Sequence, residues 1–426
     1  MTYIDTVVVG AGHAGLAVSR MLSAAGHEHV VLERGRVGER WRTERWDSLH
    51  LLTPNWMTRL PGWQFRSLAP ERYSSVGDFV SLLDRYATSF GAPVVESANV
   101  EEVSLAPRAS GHPYLVVTDR GTWRTRHLVV AAGPHGTPHV PGALQGGNLG
   151  PVEMVTAAQY RNPAQLPPGG VLVVGASSSG VQIADELARA GRPVALAVGR
   201  HTRMPRRYRG MDIFWWLSNT GRLGRTIDDV PDVSVARRET SMQLVGRNDA
   251  ELFTQNLDLA TLQASGVRLA GRLERLTAGR ATFRDDLPDT VAAADRRMHR
   301  FLDAVDDHVE RAGIARAVSP SVRPRAADVP SAPARLDLRA ERIGTVLLAT
   351  GYQPHHPWLR LPVTAPDGSI EQYRGVTAAP GVYVVGQRFQ HRRDSGLIDG
   401  ARHDAAAVVG HLLGRSAAVP SQEPAA

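Results

Sequence analysis

The feature that most constrains the fold of this chain is a strand, a turn of small residues and a helix that occur twice. The first unit, TVVVGAGHAGLAVSRML, spans residues 6–22, and the second, VLVVGASSSGVQIADEL, spans residues 171–187. Each has a short apolar run, then small residues, then apolar residues at helical spacing. A helix that begins this way presents free backbone N–H groups to a phosphate. The repeat predicts two nucleotide-binding units on an α/β scaffold.

The first unit carries the dinucleotide pattern G-x-G-x-x-G at Gly10, Gly12 and Gly15. These glycines allow a tight turn, a close approach of a pyrophosphate to the backbone, and close packing of the helix on the strand. Glu33 ends the next apolar run, where a carboxylate binds ribose hydroxyls and repels a 2′-phosphate. The first unit therefore predicts FAD or NAD.

The second unit differs at the position that selects the nucleotide. After its next apolar run the chain reads VGRHTR, with Arg200 and Arg203 where the first unit has Glu33. A guanidinium there pairs with a 2′-phosphate through two hydrogen bonds. We therefore predict NADPH at the second unit, and hydride transfer from it to a flavin in the first. The residues predicted to bind NADPH are Gly175, Ser177, Ser178, Gly180, Arg200, Thr202 and Arg203.

The order of apolar runs indicates how the domains are connected. Strand and helix patterns alternate, pause at a Pro- and Gly-rich connector, alternate again, and then return to strands. We predict an α/β fold of two Rossmann-like dinucleotide-binding domains, with the NADPH domain inserted into the FAD domain. The FAD domain is predicted to cover residues 1–160 and 339–413, the NADPH domain residues 161–338, and a disordered tail residues 414–426.

Charge and cysteine content narrow the functional classes. All 49 basic residues are arginines spread along the chain, and the net charge is +7. This distribution favours small anionic ligands over a nucleic-acid interface. The chain has no cysteine, which excludes electron transfer through a protein cysteine pair. No apolar run approaches the roughly 18 residues of a membrane span, and the N-terminus lacks a signal-peptide pattern, so we expect cytoplasmic residence without membrane contact.

Several short motifs outside the two units carry a family resemblance. Residues 38–41 (GERW) and 47–54 (DSLHLLTP) follow the first unit, and residues 131–133 and 349–352 end two apolar runs. Residues 381–386 (GVYVVG) precede a last helical pattern. In content and order these motifs resemble the class B flavin-dependent monooxygenases. That family includes flavin-containing, indole-pyruvate and Baeyer–Villiger monooxygenases and bacterial flavoproteins labelled with potassium transport.

The resemblance implies a wider FAD site. Ser395 and Gly396 are expected to open the last helix and to direct its N–H groups at the flavin. Two positions depart from the family: Leu52 replaces an Asn, and Thr156 replaces the His of the motif that ends at Tyr160. The residues implied at the FAD site are Gly38, Arg40, Trp41, Asp47, Leu52, Thr53, Gly133, Thr350, Gly351, Gly386, Ser395, Gly396 and Leu397.

The resemblance also implies a reaction. NADPH reduces FAD, the reduced flavin adds dioxygen to give a C4a-hydroperoxide, and one oxygen atom passes to a small organic substrate. The acceptor is nitrogen, sulfur or, in Baeyer–Villiger reactions, a carbonyl group. The protein orients and shields the reactants, and no metal site is expected. The candidate catalytic residues are Arg206, Arg207, His391 and Arg392.

Two other functions stay open at this point. The changes at Leu52 and Thr156 fit an NADPH-dependent flavin reductase or oxidase without a durable hydroperoxide. The potassium-transport label suggests a non-enzymatic, nucleotide-sensing partner of a transporter. The substrate is not predictable from these motifs, and the oligomeric state, monomer or homodimer, stays open.

Overall fold

The computed structural model describes residues 1–64, 69–107, 111–144, 151–239, 242–243, 246–247, 255–327 and 332–414. The predicted disordered tail falls outside these residues apart from Gly414. Within them, no helix combines the length and the apolar composition that crossing a membrane requires. The α-helices are His13–Ala24, Glu39–Thr43, Val76–Ser89, Ser178–Arg189, Ile213–Asn219, Val233–Arg237, Leu259–Ala264, Leu287–Arg311 and Ala401–Leu412. Short 3-10 turns are Asn55–Met57, Gly142–Leu144, Pro163–Gln165 and Ile227–Asp229.

The first sheet holds the first unit at its centre. Thr2–Val9 pairs in parallel with His29–Leu32 on one side and with Gly121–Val130 on the other. Gly121–Val130 also pairs with Tyr114–Thr118 in antiparallel and, near its end, with Val382–Val384 in parallel. The chain thus leaves this sheet and re-enters it near its C-terminus, which is the inserted arrangement predicted from the sequence. The order across the sheet is Val94–Val95, His29–Leu32, Thr2–Val9, Gly121–Val130, Tyr114–Thr118 and Val100–Leu105.

The second sheet holds the second unit and is parallel throughout. The predicted domain boundaries at residues 160 and 338 differ from this arrangement, because Glu153–Thr156 and Ile343–Leu348 both lie in the second sheet. An apolar run indicates a buried strand but not the sheet that it joins. The second domain therefore extends beyond residues 161–338 on both sides. The strand order is Glu153–Thr156, Ile343–Leu348, Gly170–Val174, Val194–Ala197 and Arg268–Ala270.

The two connections between the domains lie side by side. Thr137–Pro138, in the outgoing connection, pairs in antiparallel with Tyr352–Gln353 in the returning one. A Cβ on Gly136 would lie 2.4 Å from the backbone N of His355, so only glycine permits this approach. The remaining strands pair as Arg59–Leu60 with Trp63–Gln64, Thr202–Arg203 with Met242–Gln243, Arg207–Tyr208 with Met211–Asp212, Gly246–Arg247 with Gln255–Asn256, and Leu273–Thr277 with Arg280–Phe283 and then Arg335–Asp337.

The helices pack with their apolar faces inward. His13–Ala24 packs against the last helix, Ala401–Leu412. The long helix Leu287–Arg311 buries Met298 and Leu302 on one face, which agrees with the helical spacing of the apolar residues in this segment. Its opposite face carries the charged residues.

The segment before the last helix differs from the prediction. The helix begins at Ala401, so the expectation that Ser395 and Gly396 open it is wrong. Residues 395–400 form turns, and the Ser395 hydroxyl accepts the backbone N–H of Arg392 at 2.9 Å. A serine that binds nearby backbone groups competes with helix formation, and this one stabilises the turn.

Candidate functional site

The first cradle, residues 10–15, is tightly packed on one side and open on the other. Gly10 has a φ of +107°, and a Cβ there would lie 2.7 Å from the Ala131 carbonyl oxygen. A Cβ on Gly15 would lie 1.9 Å from the Gly10 carbonyl oxygen. A Cβ on Gly12, in contrast, would meet no atom within 4 Å. The fold itself therefore requires two of these glycines, and the third faces open space at the start of the helix.

Glu33 lies beside the first cradle, as the sequence predicts. Its Oε2 accepts the N–H of Ala11 at 2.8 Å, and its Oε1 accepts the N–H of Gly35 at 3.2 Å. Burial raises the pKa of this carboxyl group, and the two N–H donors oppose that rise. Each carboxylate oxygen has a second lone pair, so both can still accept a ribose hydroxyl.

The second cradle, residues 175–180, repeats this packing. Gly175 has a φ of +106°, and a Cβ there would lie 2.5 Å from the Ala349 carbonyl oxygen. A Cβ on Gly180 would lie 1.8 Å from the Gly175 carbonyl oxygen. Ala131 follows the strand Gly121–Val130, and Ala349 follows the strand Ile343–Leu348. Each alanine therefore stands just before one of the two connections between the domains (the crossovers). Each cradle thus rests on the strand that leaves its own domain.

Ser177 and Ser178 distinguish the second cradle from the first. Ser177 is the N-cap of the helix Ser178–Arg189, and its hydroxyl makes no capping hydrogen bond. Its counterpart, Gly12, has room for a Cβ, so a serine fits a turn of this shape. The Ser177 hydroxyl therefore remains available for a ligand at the helix N-terminus.

The degraded motif before the second cradle supports the helix of that cradle. Tyr160 is fully buried, and its hydroxyl donates to Glu186 on this helix at 2.7 Å. Thr156, in the place of the family's His, donates to Gln159 Oε1 at 2.9 Å and closes a local turn. Both residues thus have structural partners.

The arginines after the second cradle lie in different environments. Arg203 is buried, with Asp258 at 2.8 Å and Asp295 at 2.6 Å from its guanidinium. Its charge is balanced inside the fold. Arg203 therefore holds residues 198–203, the arm that follows the second cradle, in place and does not reach a ligand. Arg200 is exposed and, with half-buried Thr202, lines a cleft. We therefore revise the predicted phosphate pair to Arg200 without Arg203.

A further arginine, Arg297, joins Arg200, and the sequence offers no signal for it. It belongs to the helix Leu287–Arg311 and donates from Nη2 to the His201 carbonyl oxygen at 2.6 Å. Burial lowers its pKa, and the charges of Arg200 and Arg300 lower it further. All three arginines line the same cleft, where their combined positive charge attracts an anion.

This cleft, of about 3250 Å³, lies between the two domains. Arg200 and Phe301 line it from the second domain, and Trp56, His391 and Arg392 line it from the first. Its wall combines aromatic side chains with many charged ones. The cleft therefore lies between residues 198–203, which follow the second cradle, and the turn that follows residues 381–386 (the closing motif).

Residues 38–41, the first segment implied at the FAD site, connect the first cradle to the outgoing crossover. Gly38 has a φ of +69° and caps the short helix Glu39–Thr43. Arg40 in that helix donates to the carbonyl oxygen of His135 in the outgoing connection. Trp41 packs edge-to-face on Phe79 with the ring centroids 4.8 Å apart, so it is part of the core packing.

Residues 47–54, the second segment implied at the FAD site, contact the second domain. Asp47 is exposed and accepts a hydrogen bond from Asn162 Nδ2 at 2.6 Å. The Leu52 carbonyl oxygen accepts one from Arg206 Nη1 at 2.7 Å, and the next residue, Thr53, is buried. The segment is therefore fixed from both of its ends.

The first crossover and the closing motif, residues 381–386, meet the first cradle at the carboxyl end of the first sheet. Gly133, Gly351 and Gly386 all have positive φ angles, between +75° and +86°. A Cβ on Gly386 would lie 3.0 Å from the Cβ of Ala14, so the closing strand approaches the first helix closely. Thr350 donates from its hydroxyl to a backbone carbonyl oxygen of the other crossover. In doubly wound folds this end of the sheet is where nucleotides bind.

The turn formed by residues 391–397 follows the closing motif and faces the cleft. Its Ser395 is fully buried, Gly396 is exposed, and Leu397 is half-buried. The Leu397 N–H donates to the Asp394 carbonyl oxygen at 2.7 Å, which closes the turn.

Among the candidate catalytic residues, Arg206 is buried and makes structural contacts. Its side chain is 1% exposed and forms an ion pair with Asp212. Its Nε donates to the Tyr73 hydroxyl at 2.7 Å, and its guanidinium lies 4.2 Å from the Tyr73 ring centroid. With the bond to Leu52, these contacts join the two domains. This environment is that of a structural residue and not of a group that meets substrate.

The other three candidates divide between the protein interior and the cleft. Arg207 is half-buried and donates to the Gly210 carbonyl oxygen at 3.2 Å, away from the cleft lining. Arg392 lines the cleft but pairs with Asp394 at 3.0 Å. His391 also lines the cleft, and burial together with nearby arginines lowers its pKa, so the ring is neutral near pH 7.

Unpaired polar atoms test whether these residues fit a flavin nucleotide. Gln387 Nε2, Gln390 Nε2 and His391 Nδ1 are buried, and each lacks a hydrogen-bond partner among the described residues. They follow Gly386 directly, so three unpaired groups accompany the closing motif. Together with the open space at Gly12, they fit a ligand rich in acceptors, as FAD is. The exposed guanidinium of Arg200 and the half-buried one of Arg297 fit a phosphorylated nucleotide.

Comparison with known proteins finds similarity to oxidoreductases, several of them flavin-dependent by name. Residues 7–218 match a family model described as pyridine nucleotide-disulphide oxidoreductase. The chain has no cysteine, so disulphide chemistry on its own side chains is excluded. The uncharacterized oxidoreductase CzcO-like of Geobacillus kaustophilus is 28% identical over 413 residues, which cover 96% of this chain and 98% of the relative.

Two further matches are monooxygenases. The indole-3-pyruvate monooxygenase YUCCA4 of Oryza sativa subsp. japonica is 33% identical over 234 residues, or 50% of this chain and 53% of the relative. A flavin-containing monooxygenase from Stenotrophomonas maltophilia has a similar structure, with a TM-score of 0.61 and 20% identity over 96% of this chain and 99% of the other. At this identity the structural match establishes the shared fold of two dinucleotide-binding domains, which confirms the predicted fold class.

Proposed function

We propose that the chain is a class B flavin-dependent monooxygenase, which uses FAD and NADPH to insert one oxygen atom of dioxygen into a small organic substrate. It is an oxidoreductase whose cofactors are FAD and NADP. The observation that carries the proposal is the doubled cradle with opposite charges beside its two copies. Glu33 adjoins the first cradle, and Arg200 follows the second.

The first cradle is the proposed FAD site. The N–H groups at the start of the helix His13–Ala24 would hold the pyrophosphate, and Glu33 would accept ribose hydroxyls. Gln387 and His391 would supply polar contacts from the closing side. When bound, FAD supplies acceptance of a hydride, activation of dioxygen at the flavin C4a position, and delivery of one oxygen atom while the other leaves as water.

The second cradle is the proposed NADPH site. Its Ser177 hydroxyl and helix N-terminus would hold the pyrophosphate. Arg200, with Arg297 and Arg300 beside it, would pair with the 2′-phosphate. Arg203 acts indirectly, because its ion pairs with two aspartates anchor the arm that carries Arg200.

The cleft between the domains is the proposed substrate site. Trp56 and Phe301 give it apolar surface, and His391 presents a neutral ring there. Neither N- or S-oxygenation nor a Baeyer–Villiger reaction needs a nucleophile from the protein. These residues therefore have to bind and orient the substrate and to keep bulk water away from it.

Anaerobic reduction is the test of the proposal. FAD-loaded protein is mixed with NADPH in the absence of oxygen, and loss of flavin absorbance is followed by stopped flow. We expect bleaching, and then oxygen uptake with a matching oxygenated product among amines, thioethers and ketones. A flavin that stays oxidised under NADPH would refute the proposal and favour nucleotide binding without turnover.

A second outcome identifies the reductase or oxidase alternative. The specific observation that favours it is at Leu52, which stands where the family has an Asn. The Leu52 side chain has no polar group, and its carbonyl oxygen already accepts a hydrogen bond from Arg206. In that case the flavin bleaches with NADPH, but all consumed oxygen appears as hydrogen peroxide with every substrate tested.

Cytoplasmic residence and the absence of membrane and nucleic-acid partners belong to the same proposal. Cell fractionation tests the first, and sedimentation with vesicles or duplex DNA tests the others. Sedimentation equilibrium of the FAD-loaded protein decides between a monomer and a homodimer.

A further inference from the structure

A buried hydroxyl lies at the centre of the turn formed by residues 391–397. Ser395 Oγ accepts the backbone N–H of Arg392 at 2.9 Å and that of His391 at 3.2 Å. The same hydroxyl donates to Asp404 Oδ1 at 3.1 Å. Asp404 lies on the last helix and is fully buried, and its Oδ2 lacks a hydrogen-bond partner among the described residues.

We infer that Asp404 is a positioning residue of the flavin site, which acts through the Ser395 hydroxyl to fix the turn that carries His391 and Arg392 into the cleft. This inference rests on the proposed function, because it takes this turn as part of the FAD site. The chain of contacts runs from a rigid helix, through one hydroxyl, to two backbone N–H groups. A change at Asp404 is therefore transmitted to the turn without direct contact with a ligand.

The charge of Asp404 determines how strongly it holds Ser395. An ionised carboxylate accepts a hydrogen bond about twice as strongly as a neutral acceptor does. A hydroxyl that donates to such an acceptor is polarised and becomes a better acceptor for the two N–H groups. Burial raises the pKa of Asp404 to about 7, Ser395 and Arg392 oppose that rise, and Asp394 adds to it. The turn is therefore held more firmly at pH 8 than at pH 6.

Several other charged groups around the last helix are paired or neutral near pH 7. Asp399 is paired with Arg59 at 2.7 Å and with Arg402 at 3.1 Å. Burial lowers the pKa of His403, on the same helix, to about 4. On the packed helix His13–Ala24, burial likewise lowers the pKa of His13 to about 4, and Arg20 lies over the Phe90 ring. Asp404, whose pKa is raised to about 7 and whose Oδ1 accepts the Ser395 hydroxyl, therefore couples this pH range directly to the turn.

The pH dependence of FAD affinity distinguishes positioning from simple packing. FAD is removed, and its dissociation constant is measured by flavin fluorescence at pH 6, 7 and 8 for the wild type, Asp404→Asn and Ser395→Ala. We expect wild-type affinity to rise about fivefold from pH 6 to pH 8, the ratio that roughly 1 kcal/mol of hydrogen-bond energy gives. Both variants should lose this rise and bind FAD about fivefold more weakly at pH 8.

A matched control and a double variant sharpen the test. Asp185 is a buried aspartate on the helix of the second cradle, paired with Arg189 at 2.9 Å. Asp185→Asn should keep the wild-type pH profile. The double variant Ser395→Ala/Asp404→Asn should bind FAD no more weakly than either single variant, because both changes break one connection.

Retention of the wild-type pH profile by either single variant would overturn the inference. If Asp404→Asn fails to fold, Ser395→Ala decides the question, since it leaves the carboxylate in place. If the wild type itself does not bind FAD, the proposed function fails first, which separates the two conclusions.

Discussion

The guanidinium of Arg203 lies 2.8 Å from the carboxylate of Asp258, and both side chains are buried. Arg200, three residues earlier, is exposed at the cleft. Two arginines that are equivalent in the sequence therefore have different tasks, since a buried cation must be balanced and an exposed one can meet a ligand. This difference leads to separate predictions for the two positions.

Replacement of Arg200 should change cofactor choice without changing stability. We expect Arg200→Ala to lower the preference for NADPH over NADH about tenfold, which is roughly 1.4 kcal/mol of phosphate contact. Arg203→Ala should instead lose about 3–5 kcal/mol of unfolding free energy, because it leaves two carboxylates unpaired. The ratio of kcat/KM for the two cofactors and urea unfolding measure these effects. Arg280→Ala, which removes an exposed arginine side chain from the strand Arg280–Phe283, serves as the control.

An unchanged NADPH/NADH ratio in Arg200→Ala would contradict the assignment of the 2′-phosphate site. Loss of preference in Arg203→Ala at wild-type stability would restore Arg203 as a ligand contact.

The first cradle predicts opposite consequences for two alanine substitutions. Gly12→Ala should leave the stability of the FAD-free protein within about 0.5 kcal/mol, because its Cβ meets open space. The same methyl group occupies the approach of a pyrophosphate, so FAD should bind at least about tenfold more weakly. Gly15→Ala places a Cβ 1.9 Å from a carbonyl oxygen and should prevent stable folding of the first domain.

Thermal unfolding without FAD and fluorescence titration with FAD measure the two quantities for each variant. A Gly12→Ala protein with wild-type FAD affinity would place the pyrophosphate elsewhere.

Arg206 should behave as a structural residue. Arg206→Met leaves Asp212 buried and unpaired, and we expect a loss of about 3–5 kcal/mol of unfolding free energy. Tyr73→Phe removes one hydrogen bond of the same network and should cost about 1 kcal/mol. Arg207→Met is the neighbouring control and should be close to neutral. Urea denaturation at equilibrium gives all three values.

A stable Arg206→Met protein that binds both cofactors but has lost turnover would return Arg206 to the list of catalytic candidates.

The buried acid Asp404 predicts a pH dependence of stability. Because burial raises its pKa to about 7 in the folded state, the folded protein binds this proton more tightly than the unfolded chain does. Its contribution to stability is therefore fully present below about pH 4, falls as the pH rises, and is lost above about pH 7. Asp404→Asn removes this loss, so the variant should gain on the order of 2–4 kcal/mol relative to wild type between pH 4 and pH 8.

The measurement is the difference in melting temperature between variant and wild type across that range, in buffers of equal ionic strength. Melting curves that stay parallel from pH 4 to pH 8 would show that Asp404 is ionised throughout.

Local features of this protein are predictable from the sequence because their physical causes are local. Gly10 and Gly175 mark tight turns that follow apolar strands, and Glu33 follows the first cradle at a fixed distance along the chain. The amphipathic pattern around Met298 determines the long helix. The doubled unit determines the fold class, since each copy carries its strand, turn and helix in one contiguous segment.

Only the tertiary structure decided which groups meet across the chain. The strand Ile343–Leu348 is equally apolar in either sheet, and its position became clear from its pairing with Gly170–Val174. Arg203 and Arg206 look like ligand contacts until Asp258 and Asp212 are found beside them. Burial and charge pairing depend on residues far apart in sequence, and the roles of Arg200, Arg203 and Asp404 follow from these long-range contacts.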